Sequence, residues 1–268
     1  HMPPIKPRDL RFELGSELAA EWNGDDWFQT AFFNSMSILF PYGEKSFIDS
    51  VKAHEKCVSD EELRDAVRGF MAQEYVHRRE HQRFNELLCQ LKGYDLDYLE
   101  GAIRGDAKTL KDMDPLFWLA TTVAYEHLTA TIAGQLLRQD GWIRNASPEV
   151  AQVWRWHAVE EIEHKSVAFD VYKAAGGTQG MLRKAMILMS WEFLVRYQLR
   201  SLVHMYRRDK PPFWRTLGQA FRFLFARGGF VRGNWSHYWK FFRKGFHPND
   251  IDDTALLNRA VEVYGLAH

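Results

Sequence analysis

Cysteine is almost missing from this chain: Cys57 and Cys89 stand alone, in no metal or redox spacing. That excludes a disulfide framework and suits a reducing, cytoplasmic setting. Also missing is any run of about 18 uncharged apolar residues, so no spanning helix is expected. The first residues, His1-Met2-Pro3-Pro4, lack the cationic and then apolar run of a secretory signal, and His1 reads as a cloning remnant. No stretch shows a convincing alternation of apolar and polar residues, which argues against strands and hairpins. Short-period repeats and low-complexity tracts are absent as well. What is present is 268 residues, 46% hydrophobic and 26% charged, enough to bury a sizeable core.

The charge is balanced overall, with 35 Lys and Arg against 35 Asp and Glu, yet unevenly placed. Thr178 to His247 holds 14 basic residues against two acids, Glu192 and Asp209. Trp191 to Phe246 holds 16 aromatics in 56 residues. No recognised motif supports nucleic-acid binding, and none is expected. A basic aromatic region can lie on an anionic membrane surface, serve a homodimer, or pack over a core with its basic face outward. The last is the expected arrangement, with these helices closing the mouth of a substrate channel; a homodimer is also expected, which the aromatic surface could equally serve.

Helical signals fill the rest, and the predicted class is all-α. A first helix runs from about Asp26 to Lys56, disturbed by Pro41 and Gly43. Ser59-Asp60-Glu61-Glu62 opens a second, which reaches about Leu91. Tyr94 to Asp114, with Gly101 and Gly105, reads as a mixed connection. Pro115 opens a third helix to about Arg138, and Ser147-Pro148 opens a fourth that ends near Gly176-Gly177. Helices one and two, and three and four, look like two related hairpins. Three regions are expected: residues 1–25 as an N-terminal extension, 26–177 as a four-helix bundle, and 178–268 as additional C-terminal helices packed on it.

Two Glu-x-x-His motifs carry the chemistry: Glu74-Tyr75-Val76-His77 and Glu161-Ile162-Glu163-His164. Positions i and i+3 share a helical face, so each pair presents a carboxylate and an imidazole to one point. One such motif is weak evidence, because solvated helical faces often carry both residues. The other two helices strengthen it. Glu44 is set among Phe40, Tyr42, Phe47 and Ile48, and Glu126 follows Leu119–Tyr125, so both are acids in apolar surroundings. Such charges are costly unless paired or metal-bound. Counted from the hairpin turns, all four carboxylates fall roughly 20 Å along their helices, at one level.

The order Glu, Glu-x-x-His, Glu, Glu-x-x-His resembles the signature of the ferritin-like di-iron carboxylate superfamily. The resemblance covers Asp26 to Gly177. It implies a ferritin-like four-helix bundle and a dinuclear site held by Glu44, Glu74, His77, Glu126, Glu161 and His164. His157, one turn before Glu161, is similar to the extra histidine of arylamine N-oxygenases, which implies a seventh ligand. Phe40-Pro41-Tyr42-Gly43-Glu44 and Phe246-His247-Pro248 also resemble a bacterial family described as predicted metal-dependent hydrolases. His81, one turn after His77, is expected to support the site rather than ligate. Glu160, Gln73 and Asp170 are further candidates for orienting the imidazoles. Tyr125 is the one candidate for a catalytic role, as hydrogen-bond donor or radical quencher.

A donor set rich in carboxylate and imidazole suits two Fe ions, or Mn with Fe, better than zinc. The leading expectation is an O2-dependent oxygenase or oxidase. It would act on a small, apolar, aromatic or acyl substrate, with O2 as cosubstrate and an external electron donor. The alternative is a metal-dependent hydrolase that uses the same dinuclear site. A non-enzymatic iron- or ligand-binding bundle is the third reading.

Overall fold

The computed structural model describes residues 3–138 and 140–268, apart from the side chain of residue 140. Helices account for the architecture. Among the described residues no strand occurs, only an isolated bridge between Asn23 and Ala146. No helix among the described residues is long and apolar enough to cross a membrane.

Four long segments form the centre: α1 (Trp27–Lys52), α2 (Glu61–Lys92), α4 (Pro115–Arg138) and α5 (Pro148–Glu163). Between α2 and α4 lies α3 (Leu96–Lys111). The expected start signals hold with a shift of one residue. Asp26 caps α1 by accepting from the Gln29 amide, and Asp60, rather than Ser59, caps α2 by accepting from Leu63. Gly93 closes α2 at φ +70°, in the left-handed region a Cβ would resist. Helices α1 and α4 are buried on nearly every side, which is why neither shows a polar stripe.

Two expectations need correction. The stretch read as a mixed connection is a regular helix, α3. Asp95 caps it, and its buried face of Leu99, Glu100 and Ile103 outweighs the propensity cost of Gly101 and Gly105. The single fourth helix is two, α5 and α6 (Val167–Ala174), separated by a turn at residues 164–166. His164 leaves the helical region at φ −109°, ψ 12°. Lys165 is anchored across the turn to Ile251 O and Asp253.

Pro41 does not break α1. Its missing N–H leaves Ser37 O without an intrahelical donor, and Asn85 Nδ2 of α2 fills that place at 2.9 Å. The helix therefore continues, and the exception binds α1 to α2.

The C-terminal third wraps this centre. α7 (Gln179–Met189) packs on α4 and continues through a π-helical segment, Ser190–Arg196, into α8 (Tyr197–Asp209). α9 (Phe213–Phe225) lies on α1, α10 (Phe230–Lys240) on α4 and α9, and α11 (Thr254–Val263) on α5 and α4. The basic and aromatic residues are thus largely outer layer. α9 shows how: Thr216, Gln219 and Phe223 face inward, while Phe213, Trp214, Leu217, Phe221 and Phe225 stay exposed. The N-terminal segment also reaches inward, placing Arg8 and Phe12 in the interior.

Asn85→Ala is expected to lower stability by about 1–3 kcal/mol by orphaning Ser37 O. In a Pro41→Ala background, residue 41 regains its amide and the loss should shrink. Urea denaturation of the four proteins measures this; equal losses in both backgrounds would contradict the assignment.

Candidate metal centre

The helices bring seven donors together at one level. α1 supplies Glu44, α2 supplies Glu74 and His77, α4 supplies Glu126, and α5 supplies His157 and Glu161. His164 enters from the turn that ends α5. All seven are buried, none more than 4% exposed. They form two groups whose potential ligand atoms lie within 4.8 Å of one another: Glu44, His77, His157 and Glu161, and Glu74, Glu126, Glu161 and His164.

Two carboxylates face both groups. Glu161 Oε1 lies 3.1 Å from His157 Nε2 and 3.7 Å from His77 Nδ1. Its Oε2 lies 3.5 Å from His164 Nε2 and accepts a 2.9 Å hydrogen bond from Thr129 Oγ1. Glu74 Oε1 is 3.0 Å from His164 Nε2, and its Oε2 is 3.8 Å from His77 Nδ1. Glu44 lies at one end, 3.1 Å from His77 Nδ1, and Glu126 at the other, 3.4 Å from His164 Nε2.

These atoms are close but unsatisfied. Both oxygens of Glu74 and of Glu126, Glu44 Oε1, His157 Nε2 and His164 Nε2 have no aligned hydrogen-bond partner. Buried polar atoms are nearly always paired, and a cluster of orphans of this composition fits metal ligands. The chemistry of the set agrees: carboxylate and imidazole are the donors of Fe, Mn and Zn sites.

Each inward imidazole is held from behind. His77 Nε2 meets Glu160 Oε1 at 3.0 Å, and His164 Nδ1 meets Gln73 Oε1 at 2.7 Å. His157 Nδ1 meets His81 Nε2 at 2.7 Å, and His81 Nδ1 meets Ser37 Oγ at 2.8 Å. Ser37 Oγ in turn donates to Asn85 Oδ1 at 2.7 Å. Asn85 is fixed by its donation to Ser37 O, so the chain runs one way. His157 donates to His81, which donates to Ser37, leaving His157 Nε2 with a lone pair toward the centre. Glu160, as acceptor, leaves the inner nitrogen of His77 with its lone pair in the same way, and Gln73, accepting from His164 Nδ1, turns His164 Nε2 toward the centre. Outer partners of this kind orient metal-binding imidazoles and raise their basicity.

The N-terminal segment completes this outer layer. Arg8 donates to Glu160 Oε2 at 3.0 Å and to Glu163 Oε1 at 2.6 Å, and its own amide donates to Glu160 Oε2. Gln73 Nε2 donates to Glu163 Oε1 and to Lys6 O, which turns its oxygen toward His164.

The titration pattern follows from crowding like charges in a dry site. Burial, then the Glu74 and Glu161 carboxylates, hold Glu44 well above the usual carboxylate range. Burial also raises Glu126 well above it, against the pull of His164. Glu161 is driven well below its ordinary value despite burial, because His164 and His157 face it. Burial opposes the charge on His164, but Glu126 and Glu161 hold it protonated well above the usual range. Burial and His157 lower His77 to about 3. Burial likewise keeps His81 neutral.

Two candidates stand elsewhere. Tyr125 packs its ring on Phe47 and Phe193, with Tyr197, Glu192 and Asp106 around its hydroxyl. Adjacent to Glu126 on α4, it points about 100° away from it. Asp170 binds His247 Nε2 at 2.8 Å on the α6 surface and orients none of the three inward imidazoles. Thr129, Arg8, Ser37 and Asn85 went unrecognised in the sequence. Only Thr129 had a local signal, its place one turn after Glu126.

A helical bundle with a buried, shared set of carboxylate and imidazole donors defines the class as a metal-binding one. The chain belongs to the family described as predicted metal-dependent hydrolases, whose model matches residues 6–252. No curated protein and no solved structure matches it.

Gln73→Leu removes the acceptor behind His164, and metal affinity should fall about 10- to 100-fold; competition with a chromogenic chelator measures it, and unchanged affinity would contradict the role. Because Glu44, Glu126 and His164 hold protons that a cation must displace, metal uptake should release protons and tighten as pH rises from about 5.5 to 7.5. Calorimetry in buffers of different ionisation enthalpy reads this directly, and uptake without proton release would refute it.

Proposed function

We propose that the chain is a dinuclear metalloenzyme and that its reaction is hydrolysis of a small substrate. The observation that carries this is that Glu161 belongs to both of two donor groups rich in unpartnered atoms, with Glu74 Oε2 3.8 Å from His77 of the other group. Glu44, His77 and His157 would hold one ion and Glu126 and His164 the other, with Glu74 and Glu161 between them. Four carboxylates balance two divalent cations, so the filled site is neutral in a place where net charge is costly. Two such ions would polarise a carbonyl or phosphoryl group and would lower the pKa of a bound water toward neutrality. The chain's own residues fix the orientation of the imidazoles and exclude bulk water. Family membership supports the hydrolytic outcome.

A second reading has its own observation. A cavity of about 20 Å³ beside His157 and Thr129 is walled by Phe33, Met36, Phe40, Trp154 and other apolar side chains. It has room for about one water-sized molecule. That size and apolarity support dioxygen as the small reactant, on iron or a manganese–iron pair, with an external electron donor. The chain would then be an oxygenase or oxidase.

Metal-free protein reconstituted with Zn2+ or Mn2+ under anaerobic conditions should hydrolyse a member of a panel of short esters, amides and phosphate esters. Glu161→Ala should return that turnover to background. The hydrolytic reading gives way to the second if no metal-dependent hydrolysis occurs while the ferrous protein consumes oxygen with a reductant present.

A further inference from the structure

We propose that the outer face of α9 and α10 docks on a membrane, and that its partner is a bilayer surface rich in anionic phospholipid. The docking is independent of the reaction at the metal centre.

α9 is built the wrong way round for a helix that meets only water. Its buried residues are Thr216, Gln219 and Phe223, two of them polar. Gln219 is used inside, where its Oε1 accepts from the Phe28 amide at 3.2 Å. Phe213, Trp214, Leu217, Phe221 and Phe225 point the other way, with Trp214 78% and Phe221 67% exposed. At 100° per residue these side chains cover about a third of the helix circumference, as one continuous stripe. A surface helix ordinarily turns such a stripe toward the core. An outward apolar stripe marks a surface that something else covers.

α10 continues this surface. It packs on α9, and Phe223 and Phe230 meet on the inner side with ring centroids 6.0 Å apart. Trp235 and Trp239, one turn apart, lie on the outer side with centroids 5.7 Å apart, and both are exposed. Gln135 Nε2 of α4 donates to Gly228 O and Gly229 O, which fixes the turn between the two helices. The outer faces are therefore presented together, on a rigid support.

Charge decides what this surface meets. From Lys210 to His247 there are eight Lys and Arg and no Asp or Glu. Arg215 and Arg222, two turns apart and exposed, follow one edge of the α9 stripe. Arg232 shares the outer face of α10 with Trp235 and Trp239, at i+3 and i+7. Among the described residues no acid pairs with Arg215, Arg222, Arg227 or Arg232. The two acids just before this stretch are already engaged, Glu192 by Arg196 at 3.0 Å and Asp209 by Lys92 at 3.3 Å. A second copy docked here by two-fold symmetry would set these cations against their own kind. An anionic bilayer answers both features at once. Acyl chains take the rings and Leu217, and headgroups take the arginines along the edge. Tryptophan is a residue that settles at that boundary. No helix among the described residues can cross the bilayer, so the contact is made from one side.

Co-sedimentation of the full chain with vesicles tests this. Vesicles of phosphatidylcholine with phosphatidylglycerol should bind at least about tenfold more tightly than phosphatidylcholine alone, and about 0.5 M salt should weaken the binding. Arg215→Gln with Arg222→Gln and Arg232→Gln should lower the affinity about tenfold or more. Trp214→Ser with Phe221→Ser should lower it about as far at unchanged charge. Both variants change only exposed side chains and should keep the wild-type melting temperature. Failure of the wild type to bind anionic vesicles at low salt would overturn the surface, as would binding that the Trp214 and Phe221 substitutions leave undiminished. Two other results would assign the face to another partner and overturn the proposal: binding of a single-stranded oligonucleotide that requires Trp214 and Phe221, or a wild-type dimer in sedimentation velocity that their substitution splits.

Discussion

Everything in this protein is arranged around four carboxylates that would repel one another if left alone. Glu44, Glu74, Glu126 and Glu161 come from four different helices into a space that water does not reach. No arrangement of the three inward imidazoles satisfies them all, as the unpartnered oxygens show. Without cations the conflict is relieved by protons, which raises Glu44 and Glu126 and protonates His164. Two divalent cations would cancel the charges and displace the protons. The bundle therefore stores a requirement that a pair of metal ions would meet.

The fold answers to the same requirement at some distance from the ligands. Pro41 removes one amide from α1, and the freed Ser37 carbonyl fixes the Asn85 side chain. That amide sets the direction of the Ser37 hydroxyl, which sets the tautomer of His81 and through it that of His157. On the opposite side, Arg8 and Lys6 fix Glu160 and Gln73, which orient His77 and His164. The break between α5 and α6 belongs here too. It begins at His164, whose side chain enters among Glu74, Glu126 and Glu161.

How much of this was legible depended on how local each signal is. The Glu-x-x-His pairs and the acids of apolar helices are visible through helical periodicity; the resemblance to the ferritin-like signature joined them into one donor set, and the extra-histidine resemblance added His157. Their convergence could be argued from equal distances to the hairpin turns. α3 was misread because its two glycines outweigh its apolar face when tertiary packing on α1 is unknown. Tyr125 was attractive because it neighbours Glu126, but adjacent positions on a helix face different ways. Arg8 could not be found, since 152 residues separate it from Glu160 and nothing in its own neighbourhood marks it. Asn85 was hidden similarly: its partner is a carbonyl left free by a proline on another helix.

Anomalous diffraction from crystals of metal-loaded protein, recorded at the absorption edge of the bound metal, tests the central claim most directly. Two peaks per chain are predicted, one among Glu44, His77 and His157 and the other beside Glu126 and His164, with Glu74 and Glu161 lying between them. A single peak, or peaks away from these residues with the cluster still protonated and empty, would contradict it.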